Sequence, residues 1–170
     1  MNRTLAIAIL ALVLVVGVSG YLNWAGSGDR LESQSEATLF IVSGGERTHT
    51  VDFTVIEDLE RREFTATLRS SGEAPRDLTY TGVELRHLLE HLNLDLENVD
   101  QIVTRAADGY AVALGADEVS REDNVYIVYM IDGEPMAPKE EGGSGPYQLV
   151  IREDEFGQRW NKFLMEIELQ

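Results

Sequence analysis

The chain has no cysteine among its 170 residues. This absence excludes disulfide bonds, zinc–thiolate sites, iron–sulfur clusters and catalysis by a thiol. It also excludes attachment of a lipid to an N-terminal cysteine.

Positive charge is the second scarcity. The chain has 14 Lys and Arg residues against 30 Asp and Glu residues, a formal net charge of −16. Nucleic-acid binding needs a cationic face that releases counterions, so we expect no nucleic-acid partner. A basic patch for anionic lipid is excluded on the same ground. Lysine occurs only at Lys139 and Lys162, while a hydrophobic content of 44% is sufficient for a packed core.

The N-terminal segment is the one long apolar run. Residues 5–25 contain no charge and follow Arg3, and about 20 apolar residues are enough for a membrane-spanning helix. Tyr21 and Trp24 are suitable interfacial aromatics. A cleavable signal peptide remains the alternative. We predict that residues 1–25 are a membrane anchor or signal peptide, and that the rest of the chain lies outside the cytoplasm, in the periplasm or at the cell surface.

Residues 26–36 are polar and rich in Gly and Ser, which predicts a linker before a folded domain at residues 37–170. Alternating and continuous apolar runs in that domain indicate strands. We predict strands at 38–42, 50–55, 63–68, 99–105, 110–114, 125–131, 147–151 and 162–169, and short helices at 56–61, 81–93 and 116–120. No long helix alternates with the strands, so we predict an α+β fold with a mixed, mainly antiparallel sheet.

The strongest helix signal follows residue 80. Thr81 is a candidate N-cap, and Glu84 three residues later completes a capping box. The apolar stripe of this helix consists of Leu85, Leu88, Leu89 and Leu92.

Three patterns are candidates for a catalytic or metal site, but none of them has the residues that such a site requires. Glu84, His87 and His91 share a helix face that could hold zinc, but a solvated flank explains them equally well. The glycine-rich residues 142–145 lack the Lys-Ser/Thr of a phosphate loop, which predicts a flexible loop. Ser70 and its neighbour lack the Gly-x-Ser-x-Gly context of a hydrolase. We therefore predict no catalytic residue and no metal ligand.

Several short segments occur in a recognisable order. They read TYTGVELRHLL at 79–89, DGY at 108–110, ADEV at 116–119, DGEPM at 132–136, GPYQLV at 145–150, FGQRWNK at 156–162 and IEL at 167–169. This ordered set resembles the sulfite-oxidase-like molybdopterin-binding domain family. The resemblance implies the fold of that family in a minimal form, without a haem or dimerisation domain, and makes molybdopterin a possible cofactor.

The departures from the family pattern concern the metal ligand and the pterin-phosphate side of the family's site. In catalytic members a cysteine thiolate before the Gly-Val segment ligates molybdenum, and Ser70 is nearest to that place in this chain. The family's arginine after Gly-Pro-x is Gln148. The resemblance implies the following cofactor-binding candidates: Ser70, Asp108, Tyr110, Gln148, Arg159 and Lys162.

These features predict a membrane-anchored, extracytoplasmic domain that is a non-catalytic binding or accessory module, with molybdopterin absent or weakly bound. The alternative is a molybdopterin-dependent oxidoreductase that transfers an oxygen atom or electrons. The expected partners are the membrane, through the N-terminal segment, and a redox or accessory protein.

Overall fold

The computed structural model describes residues 3–69, 72 and 74–170. Within them, helix α1 (Arg3–Ser35) precedes a domain of strands and short helices. The strands are β1 (Thr38–Ser43), β2 (Glu46–Asp52), β3 (Arg61–Leu68), β4 (Arg76–Glu84), β5 (Gln101–Ala106), β6 (Ala111–Gly115), β7 (Val125–Ile131), β8 (Glu134–Pro135), β9 (Gln148–Ile151) and β10 (Leu164–Leu169). The further α-helices are α2 (Phe53–Asp58), α3 (Leu85–His91) and α4 (Ala116–Ser120).

The described strands form two five-stranded sheets. One has the order β2-β1-β10-β5-β6, and the other has the order β3-β4-β7, with β8 and β9 both paired to the far side of β7. The β1–β10 pair is parallel and the other pairs are antiparallel. The predicted α+β fold with a mixed, mainly antiparallel sheet is therefore confirmed.

Strand β7 lies at the centre of its sheet. Its side chains are buried from Val125 to Tyr129, because β4 flanks it on one side and β9 on the other. The uninterrupted apolar run of this segment predicted such a position correctly.

The predicted start of the helix at 81–93 is wrong. Thr81 and Gly82 belong to β4, and α3 begins only at Leu85. Strand β4 packs so closely on β7 that a Cβ atom on Gly82 would lie 2.4 Å from the carbonyl oxygen of Ile127. Pairing with a central strand thus outweighs the local capping box. The leucine stripe is nevertheless buried as predicted at Leu85, Leu88 and Leu89, and partly buried at Leu92.

Glu84 is not part of a solvated flank, because it is only 2% exposed. Its carboxylate accepts hydrogen bonds from Arg86 Nε at 2.6 Å and from the Asp123 amide at 3.0 Å. Burial opposes the charged form, but these hydrogen bonds outweigh it and lower the pKa of Glu84. In the part of the chain that the structure describes, no group of three or more acidic or histidine side chains could hold a metal ion.

The segment predicted as a polar linker is helical. Helix α1 runs to Ser35, and no proline precedes Pro75 to interrupt it. Its last turns pack on the domain, where Gln34 is 4% exposed and its Nε2 donates to the carbonyl oxygen of Tyr129 at 2.7 Å.

Across the described ranges no helix combines the length and the hydropathy needed to span a membrane, so the predicted N-terminal transmembrane helix is not found there. The last turns of α1 carry Asp29, Arg30 and Glu32. These turns of the helix lie against the domain through Arg30 and Gln34. Their charged residues end the uncharged segment of the helix.

Candidate functional site

A cleft of about 290 Å³ opens beside the start of β4, the turn at residues 137–144 and the start of β9. Its charged and amide-bearing lining consists of Arg30, Arg76, Glu134, Gln148 and Lys162. Among the described lining residues, three cations therefore accompany one carboxylate.

This balance of charge is opposite to that of the chain, which has a net charge of −16. Three other described clefts have more carboxylates than cations. The cleft beside Leu89 has one cation and two carboxylates, the cleft beside Trp160 has two cations and four carboxylates, and the cleft beside Phe163 has one cation and two carboxylates. Converging cations in a concave, partly desolvated surface attract anions more strongly than the same charges would on an open face. The cleft is thus a candidate anion-binding site.

Lys162 follows two anchored residues. The indole Nε1 of Trp160 donates to the carbonyl oxygen of Ile151 at 3.0 Å, and the side-chain amide of Asn161 donates to the carbonyl oxygen of Thr104 at 3.1 Å. Both anchors are buried. Lys162 itself is exposed and makes no ion pair with any residue that the structure describes. Its ammonium group is consequently available to a ligand.

The glycine-rich turn is closed by hydrogen bonds of its own backbone, and the flexibility expected from its composition stays a prediction. The amide of Gly145 donates to the carbonyl oxygen of Ala137 at 3.1 Å. Gly142 and Gly145 have φ angles of 75° and 85°, which favour glycine. A Cβ atom on Gly143 would lie 1.9 Å from the Ala137 oxygen. The glycines therefore allow the turn to close and to place Ser144 at the cleft.

The floor of the cleft contributes neutral donors. Gln148, at the start of β9, is 1% exposed. Tyr80 in β4 is equally buried, and its ring packs edge-on against Trp160 at a centroid distance of 5.7 Å. Burial, with a smaller contribution from Asp132, raises the pKa of Tyr80 to about 12. Tyr80 therefore stays protonated at neutral pH and can donate a hydrogen bond.

The structure does not bring Arg159 to this cleft. Its guanidinium donates to Glu118 at 2.7 Å and to Asp154 at 2.9 Å. Hydrogen bonds with Glu118 and Asp154 raise the pKa of Arg159. Two carboxylates therefore neutralise the cation that the resemblance assigned to a cofactor.

Asp108 and Tyr110 also lie elsewhere. The Asp108 carboxylate accepts from the Tyr110 amide at 3.1 Å, and Gly109 has a φ of 88°, so these residues form a turn before β6. The Tyr110 hydroxyl donates to the carbonyl oxygen of Gln158 at 2.6 Å. Asp108 lines the separate groove beside Phe163. Cofactor binding by these two residues stays a prediction.

Of the six sequence candidates, Gln148 and Lys162 therefore meet in one cleft. Ser70 lies outside the described residues, although Leu68, two positions earlier, lines the cleft. Sequence reasoning missed Arg30 and Arg76. Arg30 and Gln34 are four residues apart on one face of α1.

The family model described as "Oxidoreductase molybdopterin binding domain" matches residues 31–170. The structure is similar to the crystal structure of the sulfane dehydrogenase SoxCD from Paracoccus pantotrophus, with a TM-score of 0.64 and 19% sequence identity. The match covers 81% of this chain and 39% of that chain, so this protein spans well under half the length of its structural neighbour. Identity at this level shows a shared fold. No curated protein sequence matches the chain.

Proposed function

Because the chain belongs to the oxidoreductase molybdopterin-binding domain family, we propose that it is an extracytoplasmic binding or accessory module. Its cleft takes the phosphate-bearing part of a pterin-type ligand and performs no molybdenum chemistry. The observation that carries the proposal is a cationic cleft in a strongly acidic chain that has no cysteine.

The lining fits the anionic part of such a ligand. Arg76 and Lys162 supply positive charge, and Ser144 and Gln148 supply uncharged hydrogen-bond donors. Hydrogen bonds from cationic donors to phosphate oxygens are about twice as strong as neutral ones. This donor set is suited to holding a phosphate group and to orienting whatever is attached to it.

The same lining does not fit the metal-binding part. A thiolate is the soft ligand that the family resemblance requires, and the chain has none. Among the described residues that line the cleft, the one carboxylate is that of Glu134, a hard ligand of a different kind. An unassisted serine hydroxyl at position 70 would stay protonated at neutral pH and would bind a metal poorly. No redox step is therefore assigned to this chain.

Export is the second part of the proposal. Arg3 precedes an uncharged segment, which is the charge arrangement that leaves an N-terminus in the cytoplasm and the following domain outside. The described large apolar side chains from Ile9 to Val18 are exposed to solvent, so the domain does not cover them. Such a segment is typical of a membrane anchor or of a signal peptide that a signal peptidase removes.

Protease added to spheroplasts should digest the domain and leave an N-terminal fragment in the membrane. A mature N-terminus at Tyr21 would show cleavage of a signal peptide and contradict retention of the anchor. Protection of the whole chain from protease would contradict export.

Metal analysis and anion titration test the binding function. Protein purified from its own host should lack stoichiometric molybdenum, and inorganic phosphate should bind the full chain. Lys162→Ala should weaken that binding by about 1.5–3 kcal/mol, or roughly 10- to 150-fold in Kd. Arg62→Ala is the matched control, because Arg62 is exposed, pairs with Glu60 and lies outside the cleft.

About one molybdenum per chain, lost on substitution of Ser70, would contradict the non-catalytic function and support the oxidoreductase. Equal phosphate affinities for the Lys162→Ala and Arg62→Ala variants would contradict the binding site.

A further inference from the structure

One cation of the cleft, Arg30, lies before the predicted domain at residues 37–170. It also lies outside the residues that the family model matches. Arg30 belongs to α1, whereas the family match begins at residue 31. Arg30 nevertheless lines the cleft together with Arg76 and Lys162. Its side chain is 28% exposed, so it lies at the wall of the cleft and not in open solvent.

Two contacts fix the position of Arg30. Its Nε and Nη2 atoms donate to one carboxylate oxygen of Glu141 at 3.1 and 2.8 Å. One helical turn later, Gln34 donates to the backbone of Tyr129 in the central strand β7. The Nη1 group makes no hydrogen bond with a residue that the structure describes. Arg30 thus has donor capacity left while its ion pair with Glu141 is formed.

We propose that Arg30 is a ligand-binding residue of the cleft, so that docking of α1 and binding of a phosphate-bearing anion stabilise each other. This inference rests on the proposed function of the cleft. The planar guanidinium group can donate two parallel hydrogen bonds to one phosphate, which gives orientation as well as attraction. Coupling between two binding events is reciprocal, so an anion in the cleft stabilises the docked helix as much as the helix favours the anion.

The structure distinguishes this role from a merely structural one. If Arg30 serves only to hold the turn that carries Glu141, removing either partner has the same effect on anion binding. If Arg30 contacts the anion, removing the Glu141 carboxylate preserves that contact and takes away the group that competes with the anion for the Arg30 guanidinium. The Arg30→Ala and Glu141→Gln variants therefore have opposite expected effects.

The test titrates inorganic phosphate into the full chain and its variants. Arg30→Ala should weaken binding about tenfold, Arg30→Lys should retain part of the affinity, and Glu141→Gln should bind at least as tightly as the unmodified chain. Arg62→Ala controls for the loss of one exposed, ion-paired arginine. Equal weakening by Arg30→Ala and Glu141→Gln would overturn the inference, as would an unchanged affinity of Arg30→Ala.

Amide hydrogen exchange supplies the reciprocal measurement. Phosphate should slow exchange at residues 30–35 in the unmodified chain and have no such effect in Arg30→Ala. Binding that is weakened by Lys162→Ala alone, with unchanged exchange in α1, would overturn this inference and leave the proposed function standing. No phosphate binding by the unmodified chain would overturn both.

Discussion

Arg159 and Lys162 are three positions apart and have opposite surroundings. Arg159 is held between the carboxylates of Glu118 and Asp154, whereas Lys162 faces a cleft that two arginines also line. The two acids around Arg159 have side chains that are 15% and 14% exposed. Arg159 therefore compensates charge that is already partly buried, while Lys162 adds charge that no described residue neutralises.

The difference shows that a basic residue in a family motif has no fixed role. The motif places both residues on one ordered loop, but helix α4 brings Glu118 to one of them and leaves the other open. We expect Arg159 to contribute to stability and Lys162 to contribute to binding. The following changes test that separation.

The largest effect should come from the core that supports both regions. Leu88 is fully buried in α3, so Leu88→Ala should lower the free energy of unfolding by about 2–5 kcal/mol. Urea denaturation measures this change. The folded variant should bind phosphate as the unmodified chain does, since Leu88 does not line the cleft; a loss of affinity in the folded state would break the separation.

Arg159→Ala should have the next largest effect. Removal of the cation leaves Glu118 and Asp154 without their partner, but Arg159 is 42% exposed and solvent screens part of the interaction. We expect a destabilisation of about 1–3 kcal/mol, below the cost for a fully buried pair. Urea denaturation at low and high salt measures it. A change under about 0.5 kcal/mol would show that this cation is as dispensable for folding as Lys162.

Glu84 extends the comparison to a buried carboxylate. Its folded pKa lies below the ordinary value of 4.5, so its contribution to stability is present above that value and is lost as the pH falls through the folded pKa. Glu84→Gln should cost about 1 kcal/mol at pH 7 and make the acid-induced loss of stability shallower below pH 4.5. Urea midpoints measured between pH 7 and pH 3 report both effects. Parallel pH profiles for the two proteins would contradict the assignment.

Lys162→Ala should have the smallest effect on folding. Its side chain is exposed and forms no described ion pair, so the free energy of unfolding should change by less than about 0.5 kcal/mol. The same urea experiment measures it beside Arg159→Ala. A destabilisation above 1 kcal/mol would mean that Lys162 supports the structure of its loop. A loss of phosphate binding in Lys162→Ala could then be explained by that structural change, without a contact between Lys162 and phosphate.

Local sequence patterns determined most of the strands and turns. The apolar run of β7, the Asp-Gly turns and the short helix α4 all follow from residues close together in the chain. The start of α3 did not, because the capping signal of Thr81 is local and weak, whereas pairing of Gly82 with β7 depends on a strand more than 40 residues away.

For the site, the sequence by itself determined that the chain is acidic, that it has no thiolate for a metal, and that Lys162 and Gln148 occupy family positions. Only the tertiary structure decided which cations line the cleft. Carboxylates distant in sequence enclose Arg159, and a helix predicted as a linker brings Arg30 to the cleft. The physical reason is that the effect of a charged group depends on the distance and burial of its partners. Those depend on how sheets and helices pack, which no local sequence pattern encodes.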